Sequence, residues 1–144
     1  MKRRWLIALP ASLALVSGLV VAEAVTDAGQ VTKILRDAGY TETREIELEE
    51  TGLWEAEVRG KDGRWHDVHV VGTTGELLDD RSGRPLLTAA DITARLQKAG
   101  YTAIHDLDLD DALWQADATR ADGQRVELTL NGFSGELIHE ELDD

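Results

Sequence analysis

From residue 31 onward, apolar positions recur first at helical and then at strand spacing, and the whole succession occurs twice. Val31, Leu35 and Ala38 fall on one face at helical intervals, as do Ile92, Leu96 and Ala99. Gly39 and Gly100 follow directly, where a left-handed residue closes a helix. Thr88, with Asp91 three residues on, has the layout of a capping box. The period then shortens to two. Ile46 and Leu48 alternate with Glu45, Glu47 and Glu49, and Leu107 and Leu109 alternate with Asp106, Asp108 and Asp110. These read as half-buried strands with one acidic face. The next strands carry Trp54, Ala56 and Val58, or Trp114, Ala116 and Ala118, on one face, with the tryptophans in the core. Asp62-Gly63 and Asp122-Gly123 are hairpin signals. Third strands follow with Val68 and Val70, or Val126, Leu128 and Leu130. Thr74-Gly75 and Ser134-Gly135 then turn the chain into short last strands, Glu76 to Leu78 and Glu136 to Ile138.

The duplication is visible residue by residue. Ala38-Gly39-Tyr40-Thr41 aligns with Ala99-Gly100-Tyr101-Thr102, and Leu53-Trp54-Glu55-Ala56 aligns with Leu113-Trp114-Gln115-Ala116. One residue is lost between these blocks, which a loop tolerates best. The fold expected is α+β, two tandem repeats, each a helix packed on a small antiparallel β-sheet. Residues 25–80 form the first repeat, residues 81–87 a linker and residues 88–144 the second repeat. A unit of this size is marginal alone, so the copies are expected to support each other.

These residues resemble the PepSY domain family: a helix ending in Ala38-Gly39-Tyr40, then Trp54-Glu55-Ala56-Glu57-Val58, Asp62-Gly63, Val68-His69-Val70 and Thr74-Gly75-Glu76-Leu77. The second copy ends in Asn131-Gly132-Phe133-Ser134-Gly135-Glu136-Leu137. Val71 replaces Asn131 in the first copy, a departure expected to alter its last turn. The resemblance implies a helix on an antiparallel sheet, with tandem copies arranged as in the β-lactamase inhibitor protein. It also implies a role in inhibiting or regulating peptidases near the bacterial surface, with no catalytic residues and no cofactor.

The N-terminus reads as an address. Lys2, Arg3 and Arg4 precede an apolar run from Trp5 to Ala22, and Ala22-Glu23-Ala24 presents small residues where a signal peptidase reads. Residues 1–24 are therefore assigned to a signal peptide, with an uncleaved anchor as the alternative. Both place the remainder outside the cytoplasm, periplasmic or secreted.

Charge narrows the partners. The 144-residue chain has a formal net charge of −13. Without residues 1–24 it keeps 12 basic and 27 acidic residues, a net charge of −15. Such a surface repels nucleic acid and anionic lipid and favours a protein partner, a peptidase or sensor, with a basic surface. The absence of cysteine removes disulfides, thiolate metal sites and cysteine nucleophiles.

The candidate partner-binding face is Glu45, Glu47, Glu55, Glu57, Trp65, Asp67 and His69, with Asp106, Asp108, Asp117 and Glu127 in the second copy. Trp65, whose counterpart is Arg125, is the candidate aromatic anchor. His66 and His69, three apart on a strand, point to opposite faces and read as solvated. Asp106, Asp108 and Asp110 have the acid spacing of a calcium loop, but Asp111 stands where the loop needs glycine. They are weak metal candidates, and low-affinity divalent-cation binding or sensing is the alternative function. No nucleophile elbow or catalytic triad spacing is present, so the chain is not expected to be an enzyme.

Overall fold

The computed structural model describes residues 23–144, and most of the segment read as a signal peptide lies outside them. Two units of the same element order follow one another. The first is α1 (Ala28–Asp37), β1 (Thr43–Leu48), β2 (Leu53–Arg59), β3 (Trp65–Val71) and β4 (Leu77–Leu78). The second is α2 (Ala89–Lys98), β5 (Thr102–Asp110), β6 (Leu113–Thr119), β7 (Arg125–Asn131) and β8 (Leu137–Leu142). Each set of strands forms an antiparallel meander, in the order β1-β2-β3-β4 and β5-β6-β7-β8. The final strand of the second unit is longer than the pattern implied. Among the described residues no helix is long and apolar enough to cross a membrane.

Capping sets the helix limits. Asp27 accepts a hydrogen bond from the Gln30 amide (2.9 Å) at the start of α1, and Thr88 and Asp91 form a reciprocal capping box on α2. Each helix buries two residues completely or nearly so: Val31 and Leu35 on α1, Ile92 and Leu96 on α2. Ala38 and Ala99, expected on those faces, are exposed because the helices have ended there and the next residue, Gly39 or Gly100, has a positive φ. Each helix covers one face of its sheet, closing a core of Trp54, Ala56, Val58, Val68 and Val70 or of Trp114, Ala116, Ala118, Val126, Leu128 and Leu130. The tryptophan indoles also tie the entering chain down. Trp54 Nε1 donates to the Val25 carbonyl (3.3 Å) and Trp114 Nε1 to the Leu87 carbonyl (2.9 Å). At Gly72 and Gly132 a Cβ would strike the carbonyl of Gly52 or Ala112, the same atom that accepts the glycine amide. Only glycine permits that approach.

The first strand of each sheet departs from strict alternation. Glu45, Ala103 and Asp106 have positive φ, and the pairing register shifts beside each of them. Such a bulge inserts a residue and changes which side chains face inward. The half-buried positions become Thr43, Ile46 and Glu49, and in the second unit Tyr101, Ile104 and Leu107, a period of three. Leu48 and Leu109, expected inside, are instead exposed (59% and 38%).

Two further expectations change. Val71 leaves the last turn intact: Gly75 N donates to the Val71 carbonyl at 2.7 Å, as Gly135 N does to that of Asn131 at 2.7 Å. The backbone carries this turn, so the side chain is free to vary. What Asn131 adds is side-chain bonds to the Phe133 and Ser134 amides and a 2.8 Å bond to Glu76 of the first unit. The lost residue lies in the β5–β6 turn. Asp111 and Ala112, both at positive φ, make there the two-residue turn that suits a twisted hairpin.

A third cluster joins the units. Leu53 and Leu78 of the first pack with Ala112 and Leu113 of the second, flanked by Val71, Leu86, Phe133 and Ile138. Arg84 lies over the Phe133 ring at 4.1 Å. The second-unit tyrosine has the same tether as the first: Tyr40 donates its phenol to Asp79, and Tyr101 donates to Glu140.

Two measurements check this packing. Leu113→Ala leaves a cavity in the seam and is expected to lower the unfolding free energy by about 2–5 kcal/mol in chemical denaturation; a loss below about 1 kcal/mol would mean the seam is loosely packed. Burial, then a bond to a carboxylate, holds both tyrosine phenols above their ordinary value of 10.0, Tyr101 at about 12. The fold favours the protonated phenol, so this stability is complete below pH 10.0 and lost as pH rises through about 12 for Tyr101. Phenolate absorbance should therefore stay low until past pH 10.0; a normal titration of either tyrosine contradicts the tethers.

Candidate functional site

Because Trp54, Val68 and Val70 face α1, alternation turns Glu55, Glu57, Asp67 and His69 to the opposite face of the first sheet. Cross-strand pairing arranges them in columns: Glu47, Glu55 and His69 in one, Arg44, Glu57 and Asp67 in the next. Arg44 makes an ion pair with Glu57 and lies over the Trp65 ring at 4.2 Å. The candidate anchor Trp65 is thus half-buried beneath a cation. Glu45 stands apart, exposed at the bulge.

The outer face of the second sheet is more strongly acidic. Asp117, Glu127 and Glu141 are direct cross-strand neighbours on β6, β7 and β8. Gln115, Thr129 and His139 form the adjacent row, with Asp108 opposite Gln115. A concavity of about 290 Å³ over this face is lined by Asp106, Asp108, Asp117, Glu127, His139 and Glu141, and Thr51 of the first unit reaches its rim. Like charges set directly opposite destabilise a sheet. No lysine or arginine lines the concavity. The structure therefore brings together all four second-unit residues of the predicted face and adds His139 and Glu141. These two were missed because β8 runs beyond its expected end.

Asp106, Asp108 and Asp110 do not wrap one point. They lie along β5, where Asp106 joins His105 (2.8 Å) and, through it, Asp117 (3.9 Å), while Asp110 reaches the far end of the strand. His105, Asp106 and Asp117 bring their ligand atoms within 4.8 Å of one another, although the His105 and Asp106 side chains are largely exposed.

His66 and His69 are both buried (9% and 6% exposed), in contrast to the solvated reading. They do face opposite ways. His66 turns toward α1 and the linker, where its Nε2 is 3.3 Å from Asp79 Oδ1 and 3.5 Å from the Tyr40 hydroxyl. Asp79, which the sequence places at the polar end of the repeat, is 4% exposed and is held by Tyr40, His66 and the Arg81 amide. Val126 occupies the matching position of the second unit, so this polar cluster belongs to the first unit alone. A neighbouring cavity of about 520 Å³ is bordered by Tyr40, Arg59, Lys61, His66 and Arg81, with Arg59 paired to Glu42 and Arg81 to Asp62.

His69 turns to the seam. A cavity of about 180 Å³ there is lined by Glu49, Glu55 and His69 of the first unit and by Asp110, Asp111, Gln115 and Thr129 of the second. A hydrogen bond to Glu49, then burial, raises the Glu55 carboxyl above the usual carboxylate range. Burial, then the charges of Asp110 and Asp67, raises Asp111. Nothing in the sequence places these two groups together, because the seam that joins them is a tertiary contact.

The expected consequence of acidic crowding is stabilisation on neutralisation. Glu127→Gln, between Asp117 and Glu141, should raise the unfolding free energy by about 0.2–1 kcal/mol in urea, an effect that shrinks with added salt. A destabilised variant would show that Glu127 has a structural partner.

No curated protein and no solved structure matches the chain. Residues 84–141 match the family described as peptidase propeptide and YPEB domain, a span that holds α2 and all but the last residue of the second sheet. Domains of this type are generally non-catalytic propeptide or regulatory modules. The match supports a PepSY-type domain over residues 84–141.

Proposed function

We propose that the protein is an exported, non-enzymatic regulatory module that binds a basic surface on another protein, a peptidase or an envelope sensor, through the acidic outer face of its second sheet. The observation that carries this reading is the row Asp117, Glu127 and Glu141 within a concavity that no lysine or arginine lines. Within the row the aligned carboxylates repel, so the alignment itself costs the fold. A partner that supplies lysine or arginine gains both long-range steering and charge-assisted hydrogen bonds. The family match supports the regulatory class, because it falls on the unit that carries this face. The first sheet has a weaker claim: Arg44 already neutralises Glu57 and covers Trp65.

The test compares the full chain with an Asp117→Asn, Glu127→Gln, Glu141→Gln variant as baits for bacterial envelope extract at low salt. A stoichiometric basic partner retained by the first and lost by the second supports the reading, and its association rate should fall steeply as salt rises. Equal retention by both, or an association rate indifferent to salt, contradicts it.

A further inference from the structure

We propose that Glu49, Glu55 and His69, completed by Asp111 of the second unit, form a divalent transition-metal site of the zinc class at the seam between the two sheets. The inference stands independently of the partner reading, since it rests on different residues.

Three ligand atoms, one each from Glu49, Glu55 and His69, lie within 4.8 Å of one another. Asp111 lines the same cavity, which has about 180 Å³ of room. The separate observation pointing to a ligand is His69 itself. Its side chain is 93% buried, its Nδ1 has no hydrogen-bond partner, and its Nε2 stands 3.6 Å from Glu55 Oε2, beyond hydrogen-bond length. Of its two nitrogens only Nδ1 is buried without a partner, which leaves Nε2 free to take a ligand from the cavity that His69 lines. A metal ion at Nε2 gives that nitrogen a partner and neutralises the carboxylates beside it.

The donor set chooses the cation. One imidazole with carboxylates suits zinc, which binds four ligands in a tetrahedron. Calcium and magnesium take shells of oxygen and make no use of the histidine. Zinc donors about 2.0–2.2 Å from the ion lie roughly 3.4 Å apart, so the glutamates need only rotate inward. Nor does the fold demand these groups, because the matching positions of the second unit hold Gln115 for Glu55 and Thr129 for His69.

The test is isothermal titration of the full chain with zinc chloride in a non-coordinating buffer. The expected result is one saturable ion per chain. His69→Gln and Glu55→Gln should each weaken binding about tenfold or more. Asp106→Asn, in the exposed His105 cluster, should leave it unchanged. Circular dichroism confirms that each variant is folded, and if His69→Gln is not, Glu49→Gln carries the same expectation. Absence of saturable binding, affinity unchanged by the Glu49, Glu55 and His69 variants, or binding lost with Asp106→Asn overturns the proposal.

Discussion

The structure depends on one small apolar contact, that of Leu53 and Leu78 with Ala112 and Leu113. Each unit otherwise closes its own core between a single helix and a four-stranded sheet, with only two helical side chains buried in each. A unit this small buries too little surface to be comfortably stable alone. The seam adds a third core and converts two marginal units into one larger body. The Asn131 to Glu76 hydrogen bond at its edge joins the last turn of one unit to that of the other.

The seam also decides where polar groups end up. It brings the β1–β2 turn of the first unit beside the β5–β6 turn of the second, so Glu49, Glu55 and His69 meet Asp110 and Asp111 across one cavity. The two units differ at matching positions. Corresponding positions hold Glu55 against Gln115, His69 against Thr129 and His66 against Val126. Buried ionisable groups concentrate in the first unit, whereas the second aligns Asp117, Glu127 and Glu141 on its outer face. One fold used twice thus presents two chemically distinct surfaces.

Much of this was legible in the residues. Helix caps, Asp-Gly turns and the alternation around Trp54 and Trp114 are local signals, and the helices, the central strands and both tryptophan cores follow from them. The errors have two causes, local backbone conformation and tertiary cover. Positive φ at Glu45 and Asp106 is a backbone choice that no side-chain pattern announces, and it exposes Leu48 and Leu109. His66 and His69 were read as solvated because a strand pattern cannot show what lies over either face. Asp79 begins a polar stretch, yet Tyr40, 39 residues earlier, draws it inside. For the candidate site, strand alternation already placed Asp117 and Glu127 on one face. The roles of Glu49, Asp111 and Glu141 required the seam and the full length of β8.

Native-state hydrogen exchange tests the central dependence most directly, by comparing the buried amides of Val68 and Val70 in β3 with those of Leu128 and Leu130 in β7. If the seam makes one cooperative body, the slowest amides of both sheets open with the same free energy, and both shift equally when denaturant is added. Two separate opening free energies, with one sheet exchanging while the other stays protected, would show that the units fold independently and that the seam is only a contact between them.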